Sequence, residues 1–364
     1  MPASVTQGSR AAAVPGLAGA FALAILAQYA SGWLGTALFQ LGKSPVSPVM
    51  LAVLTGVCVR SFIGLAPRME QGVALASSAI LRIGLALVGL RLTLAGIGEL
   101  GLRALPVVAG CLVTAWLVIP RLARAWGLSG ALVTLLTVGT SICGCTAVMA
   151  VAPSIRARAE DTGYAVTIIV IVGLVGMLSY PALGHWLFGA DPEVAGIFLG
   201  SSIHDTSQVI GAALLYSGQY AAPVALDAAT VTKLLRNLTL VVVVPALAAM
   251  AASTAGQRQT LGLAGIRRLV PGFVLAFVGF AALRTLGDAF AGLQPAFAAG
   301  FWAPGLALAN QASELLLTVG MAAVGLTVDV GQLRSVGWRP LAAGVSAALL
   351  MAAVSASLTA ALLT

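Results

Sequence analysis

The sequence predicts an all-α polytopic membrane protein of about 10–11 transmembrane helices, and three observations carry that prediction. Of 364 residues, 60% are apolar and only 8% charged, against roughly 45–50% and about 25% in an ordinary soluble domain. Apolar runs of about twenty residues, the length of helix that spans a bilayer, recur along the chain between clusters of charge, proline or polar residues. Within these runs nothing alternates as a lipid-facing strand would, so helices are left as the means of satisfying backbone groups in hydrocarbon. The same composition excludes a cytosolic enzyme, a disordered chain, collagen and a coiled coil.

In chain order the runs are 15–38, 46–64, 73–97, 104–120, 129–151, 163–187, 194–216, 228–251, 270–288, 309–329 and 338–362. Residues 1–14 read as a polar cytoplasmic tail without a removable signal, and 15–364 as a single transmembrane transport domain. Orientation follows from the Lys/Arg bias of short loops. One side carries Arg10, Arg60, Arg68, Arg121, Arg124, Arg258, Arg267, Arg268, Arg334 and Arg339; the other carries Lys43, Arg103, Arg156 and Arg158. Ten against four places the N-terminus in the cytoplasm, and an odd number of spans places Thr364 on the far side of the membrane. The uncharged loop 289–308, with Phe297, Phe301 and Trp302, reads either as lying along the outer interface or as a plain connection.

The net charge is +8, but the basic residues stand singly at segment ends, so no nucleic-acid-binding face is expected. Cys58, Cys111, Cys143 and Cys145 lie in apolar stretches and read as small packing residues, with no metal or cofactor called for. The expected partners are a small anionic substrate, the lipid bilayer and a second copy in a homodimer.

An ionisable side chain at the bilayer centre costs at least about 2.5–3.5 kcal/mol, so each one inside a span needs a reason. The third span holds Arg82 and Arg91, nine residues apart and therefore on opposite faces of a straight helix. Arg82 is the better substrate ligand, while Arg91 can snorkel or bind a neighbouring helix. The fifth span packs Gly139, Thr140, Ser141, Cys143 and Gly144 together, which weakens a helix. A break there would expose N–H groups for an anion; the alternative is a small-residue helix contact. The seventh span, from Gly200 to Gln208, is almost wholly polar. As one helix it would put His204 and Gln208 on one face and Ser201 and Asp205 on another. A hydrolytic triad is excluded, because neighbours on one helix point about 100° apart; His204 beside Asp205 suits proton handling. In the eighth span Lys233, Arg236 and Asn237 share a face, either in a site or snorkelling to the interface, and Glu314 in the tenth is similarly placed near an end. Four deep cations against two carboxylates predict a positive cavity and an anionic substrate.

Two internal matches occur at different offsets: IGLALVGL at 83–90 with VGMAAVGL at 319–326, and GTSI at 139–142 with GSSI at 200–203. They hint at a duplication, which suits transporters built from inverted repeats.

At LRIGLALVGLRLTLAGIGELG (81–101), GTSICGCTAV (139–148), GSSIHDTSQV (200–209), VTKLLRNLTL (231–240) and MAAVGLTVDVGQLRSVGWRPL (321–341) the chain resembles the YeiH-type sulfate exporter family of bacterial inner-membrane proteins. It departs at Asp205, where that family has Glu, and in the second span, where Arg60 stands in place of a Gly-Asn ending. The resemblance implies a secondary carrier with inverted repeats and broken helices crossing at the substrate site. The resulting expectation is a secondary transporter, an exporter, of sulfate, a sulfonate or another small anion, coupled to protons. Arg82, Ser141, Cys143, Gly144, Ser201, Ser202, Lys233 and Arg236 would bind substrate, with backbone N–H groups near Ser141–Gly144 and Ser201–Ile203 cradling it. His204, Asp205, Gln208 and Glu314 would couple protons. The rivals are a cation/proton exchanger and an intramembrane enzyme.

Overall fold

A computed structural model describes residues 10–34, 47–254, 272–332 and 336–364, and among these there are helices and no strand. Lys43, Arg258, Arg267, Arg268 and Arg334, which entered the orientation count, lie outside the described residues. Among the described residues eight helices are long and apolar enough to cross a membrane, and Pro48–Ile63 and Gly130–Ser141 are shorter apolar helices. The chain divides into two compact units, Met1–Arg91 with Ala276–Gly331 and Leu92–Leu275 with Gln332–Thr364.

The first unit contains α1 (Arg10–Trp33), α2 (Pro48–Cys58), α3 (Pro67–Leu75), α4 (Leu81–Val88) and, after the second unit's helices, α13 (Gly272–Leu293, from Ala276 onward) and α14 (Ala303–Thr327). Ser47 caps α2 by accepting from the Met50 N–H, and Pro48 and Pro67 open their helices where a missing N–H costs nothing. Helices here meet on glycine: Gly16 of α1 lies against Gly72 of α3, and Gly56 of α2 against Gly325 of α14. Such contacts let backbones approach closely, as in membrane helix pairs generally. The third expected span is a composite, with a π-helical turn at Ala76–Ile80 before α4 and a 3₁₀ turn at Gly89–Arg91 after it. Face arithmetic for a straight helix therefore does not apply between Arg82 and Arg91. The 289–308 stretch is a tight helical reversal rather than an open loop. Trp302 folds over Gly287 and donates its indole N–H to Asp288 at 2.8 Å, and Phe297 stacks among Phe290, Phe301 and Trp302.

The second unit contains α5 (Leu94–Ala125), α6 (Gly130–Ser141), α7 (Cys145–Val151), α8 (Ala159–Phe188), α9 (Pro192–Ser202), α10 (Thr206–Tyr220), α11 (Val224–Leu238), α12 (Leu240–Thr254) and the C-terminal α15 (Trp338–Leu363). Thr93, Ser129 and Asp191 cap α5, α6 and α9 through their side-chain oxygens. The fifth and seventh expected spans are each two helices, α6/α7 and α9/α10, divided by three irregular residues. Helix α9 presses Gly196 and Gly200 onto α11, where a Cβ would meet the Ala225 and Ala229 carbonyl oxygens at 2.5 and 2.7 Å. That close approach brings the polar face of α11 to the end of α9.

Candidate functional site

The two interruptions in the second unit have the same sequence at their starts. Helix α6 ends at Ser141 with Ile142 as its cap, and α9 ends at Ser202 with Ile203 as its cap. These are the last two residues of GTSI and GSSI, so the weak internal match coincides with a structural equivalence. The hydroxyls turn back onto their own helices: Ser141 to the Val138 carbonyl, Ser201 to Ile197, Ser202 to Phe198. Serine competing for backbone acceptors in this way loosens a helix end. Beyond the ends, Ile203 and Asp205 are extended, and Gly144 takes φ +63°. Gly144 has a second reason to be glycine, because a Cβ there would meet Asp205 at 2.7–2.9 Å.

Helix α11 closes the gap between the two ends. Lys233 and Arg236, both fully buried, lie one turn apart on it. The Lys233 ammonium donates to the Ile142 carbonyl at 2.9 Å, the Ile203 carbonyl at 3.0 Å and the His204 carbonyl. The Arg236 guanidinium donates to Thr140 (2.7 Å) and Ser141 (3.1 Å) on one side and to Ser201 (2.6 Å), Ile203 (3.1 Å) and Gly200 (3.3 Å) on the other. Lys233 thus takes the equivalent carbonyls of Ile142 and Ile203, and Arg236 those of Thr140 and Ser201. A helix C-terminus carries about half a negative charge and several unpaired carbonyls. Two such ends facing each other in a dry interior would repel and go unsatisfied; the two cations answer both problems.

This geometry corrects two expectations and decides between two readings of a third. Ser141–Gly144 and Ser201–Ile203 do not present a cradle of N–H groups, since they are helix C-terminal ends whose carbonyls converge. The N–H groups of Ile142, Gly144 and Ile203 are bonded to Val138, Gly139 and Leu199. The free-donor ends lie further on, where α7 and α10 start. Of the two readings of Lys233 and Arg236, snorkelling is the one set aside, because both side chains are fully buried. And 200–208 is not one helix, so the faces pairing His204 with Gln208 and Ser201 with Asp205 do not exist.

The remaining predicted residues fall into two groups. Cys143 is buried in the first interruption, and His204 in the second, with its Nδ1 lacking a partner. Asp205 does not pair with Lys233 or Arg236; it caps α10, with Oδ1 accepting from the Ser207 N–H at 2.9 Å and hydroxyl at 2.6 Å. Gln208 turns away from the interruption and ties α10 to α8, donating to the Val170 carbonyl at 2.8 Å and resting its Oε1 on Gly173. Arg82 and Glu314 belong to the other unit. Arg82 lies on an exposed face of α4, and Glu314 pairs with Arg91 at 3.7 Å.

Two side chains outside the predicted set belong with the site. Ser355 of α15 is fully buried and meets the Ser201 hydroxyl at 2.7 Å, bracing the end of α9. Asn237, 3% exposed, directs its amide to the Thr206 hydroxyl at 3.2 Å, while its Oδ1 has no partner. The signal for Asn237 was present in its shared face with Lys233 and Arg236. That for Ser355 was only a buried hydroxyl in an alanine-rich helix.

Fold and site together define a polytopic α-helical membrane protein with two broken helices held on buried cations. Residues 15–344 match the family model described as Conserved hypothetical protein 698, and the chain belongs to that family. Relatives include UPF0324 membrane proteins of Chlorobaculum tepidum (34% identical, over 81% of this chain and 78% of the relative), Bradyrhizobium diazoefficiens (32%, 86% and 84%) and Pseudomonas aeruginosa (32%, 81% and 81%). No solved structure matches the chain.

Proposed function

We propose that the protein is a secondary transporter of a small oxyanion, with sulfate or a sulfonate as the substrate class suggested by the motifs it shares with the sulfate exporter family. The observation that carries this reading is the pair of broken helices whose C-terminal ends meet on Lys233 and Arg236. Irregular backbone at membrane depth is tolerated where it is enclosed by protein or lines a water-filled path, and broken helices are the usual framework of carrier sites. With the negative ends neutralised by side chains, the positive starts of the following helices are left to meet substrate. Lys233 and Arg236 act on the anion as fixed charges behind the backbone. One of the two neighbours His204 and Asp205 supplies proton coupling. The N-terminus is cytoplasmic in the inner membrane, and transport runs outward.

The rival cation/proton exchanger is disfavoured by a specific feature. A cation at the interruptions would be held by unwound carbonyls, and those of Thr140, Ser141, Ile142, Ser201 and Ile203 already serve Lys233 and Arg236. Flux assays in proteoliposomes test the reading. Labelled sulfate or a sulfonate should accumulate down a pH gradient without sodium. Sodium–proton exchange in place of anion flux would overturn it, and turnover of a substrate without flux would favour an enzyme.

A further inference from the structure

The start of α10 is filled by a negative charge from its own cap. Asp205 gives one carboxylate oxygen to the Ser207 N–H and hydroxyl, and its other oxygen lies against Gly144. This is the arrangement an oxyanion would adopt at the same helix end. The helix end alone would not make a site, but buried side chains beside it lack partners. Asn237, 3% exposed, aims its amide at Thr206, the first residue of α10, and its Oδ1 is unbonded. Because the Thr206 hydroxyl both donates and accepts, either end of that amide can face it, which leaves the other end, N–H included, for a ligand. His204, also 3% exposed, brings an unbonded Nδ1 one residue before the cap.

We infer that the substrate oxyanion binds at the start of α10 in place of the Asp205 carboxylate, against Ser207, Asn237 and His204, and that Asp205 takes up a proton as it gives way. The inference rests on the anion-transport reading and names its coupling step. Two negative groups cannot share the two Ser207 donors. Bound anion therefore favours the protonated carboxyl, and by linkage a proton favours bound anion. The step balances: one proton leaves solvent and forms the O–H bond of the Asp205 carboxyl, while the Ser207 N–H and O–H pass from carboxylate to substrate. The titratable and charged groups facing Asp205 are Cys143 and Cys145 from the other interruption and Lys233 from α11, with His204 its neighbour in the chain. Helix α8, which packs along α10, has no titratable side chain between Tyr164 and Tyr180. Lys233 and Arg236 are fixed by backbone carbonyls, so the choice lies between Asp205 and His204.

The test is sulfate binding by the purified full-length protein between pH 5 and 8, with proton uptake measured by calorimetry in buffers of different ionisation heat. Wild type should take up about one proton per sulfate at the alkaline end, where its affinity should fall about tenfold per pH unit. Asp205→Asn, which keeps an equally good helix cap, should bind sulfate with no proton uptake, and at pH 8 at least about tenfold more tightly than wild type. His204→Gln should retain the uptake. Asn237→Ala should weaken sulfate about tenfold with uptake unchanged, about what one lost hydrogen bond to a charged group is worth. Each variant is compared at equal thermal unfolding midpoint in the absence of anion. If Asp205→Asn still takes up a proton, or if the uptake disappears in His204→Gln, the inference is overturned while the transport reading stands. If wild type binds neither sulfate nor a sulfonate at any pH, the transport reading itself fails.

Discussion

The two interrupted helix pairs of the second unit end alike and restart differently. On the ending side, Gly139–Ile142 and Gly200–Ile203 carry the same pattern, stop at equivalent serines, and offer equivalent carbonyls to Lys233 and Arg236. On the restarting side, α7 begins at a left-handed glycine with no side-chain cap, whereas α10 begins at a carboxylate. The shared half solves a problem any buried pair of helix C-termini poses. The unshared half differs in charge at a helix start, so it is where function is to be sought.

The largest expected effect comes from breaking the shared half. Lys233→Met leaves carbonyls of both interruptions unbonded in a dry interior, and Arg236→Met does the same to four, those of Thr140, Ser141, Gly200 and Ser201, while Ile203 keeps its bond to Lys233. Each should cost about 3–5 kcal/mol, the range for stripping one partner from a buried charged pair, and lower the yield of monodisperse protein in detergent. Next is Gly144→Ala, which forces a side chain into the left-handed region and against Asp205. About 1–3 kcal/mol of strain should appear as a lower unfolding midpoint, and transport should be lost along with it because the two interruptions can no longer touch. Ser355→Ala removes only the brace on Ser201, so a loss of about 1 kcal/mol is expected with sulfate flux per folded molecule little changed. The smallest effect belongs to Glu314→Gln. Its carboxylate is largely exposed and 3.7 Å from Arg91, so unfolding should shift by less than about 1 kcal/mol. The pH profile of flux should stay that of wild type, in contrast to Asp205→Asn.

Much of this architecture was legible in the sequence. Composition and run length gave the class, and over its described residues each of the eleven apolar runs corresponds to a helix or a broken pair. The crowding of Gly139, Thr140, Ser141 and Gly144 announced a break, since residues that compete for the backbone cannot sustain a helix there. The polarity of Gly200–Gln208 pointed to the same region of the fold, but helical periodicity was wrongly extended across it. What the sequence withheld was direction. Nothing in G-x-S-I says whether a break presents carbonyls or N–H groups, and that decides whether Lys233 and Arg236 meet substrate or backbone. Gln208 looked like a coupling residue because it is polar in a span, yet its partner is the Val170 carbonyl of α8, a contact no spacing rule could supply. Ser355 was invisible for the opposite reason, being a single small hydroxyl in an otherwise ordinary apolar helix.

The most direct test of the contrast between the two halves is sulfate flux into proteoliposomes at pH 6 and pH 8, with wild type and Asp205→Asn reconstituted at equal density in the absence of sodium. The account predicts that wild type moves sulfate several-fold faster at pH 6 and that Asp205→Asn moves it at a rate independent of pH. Equal wild-type rates at the two pH values, or an Asp205→Asn protein that keeps the wild-type pH dependence, would contradict it.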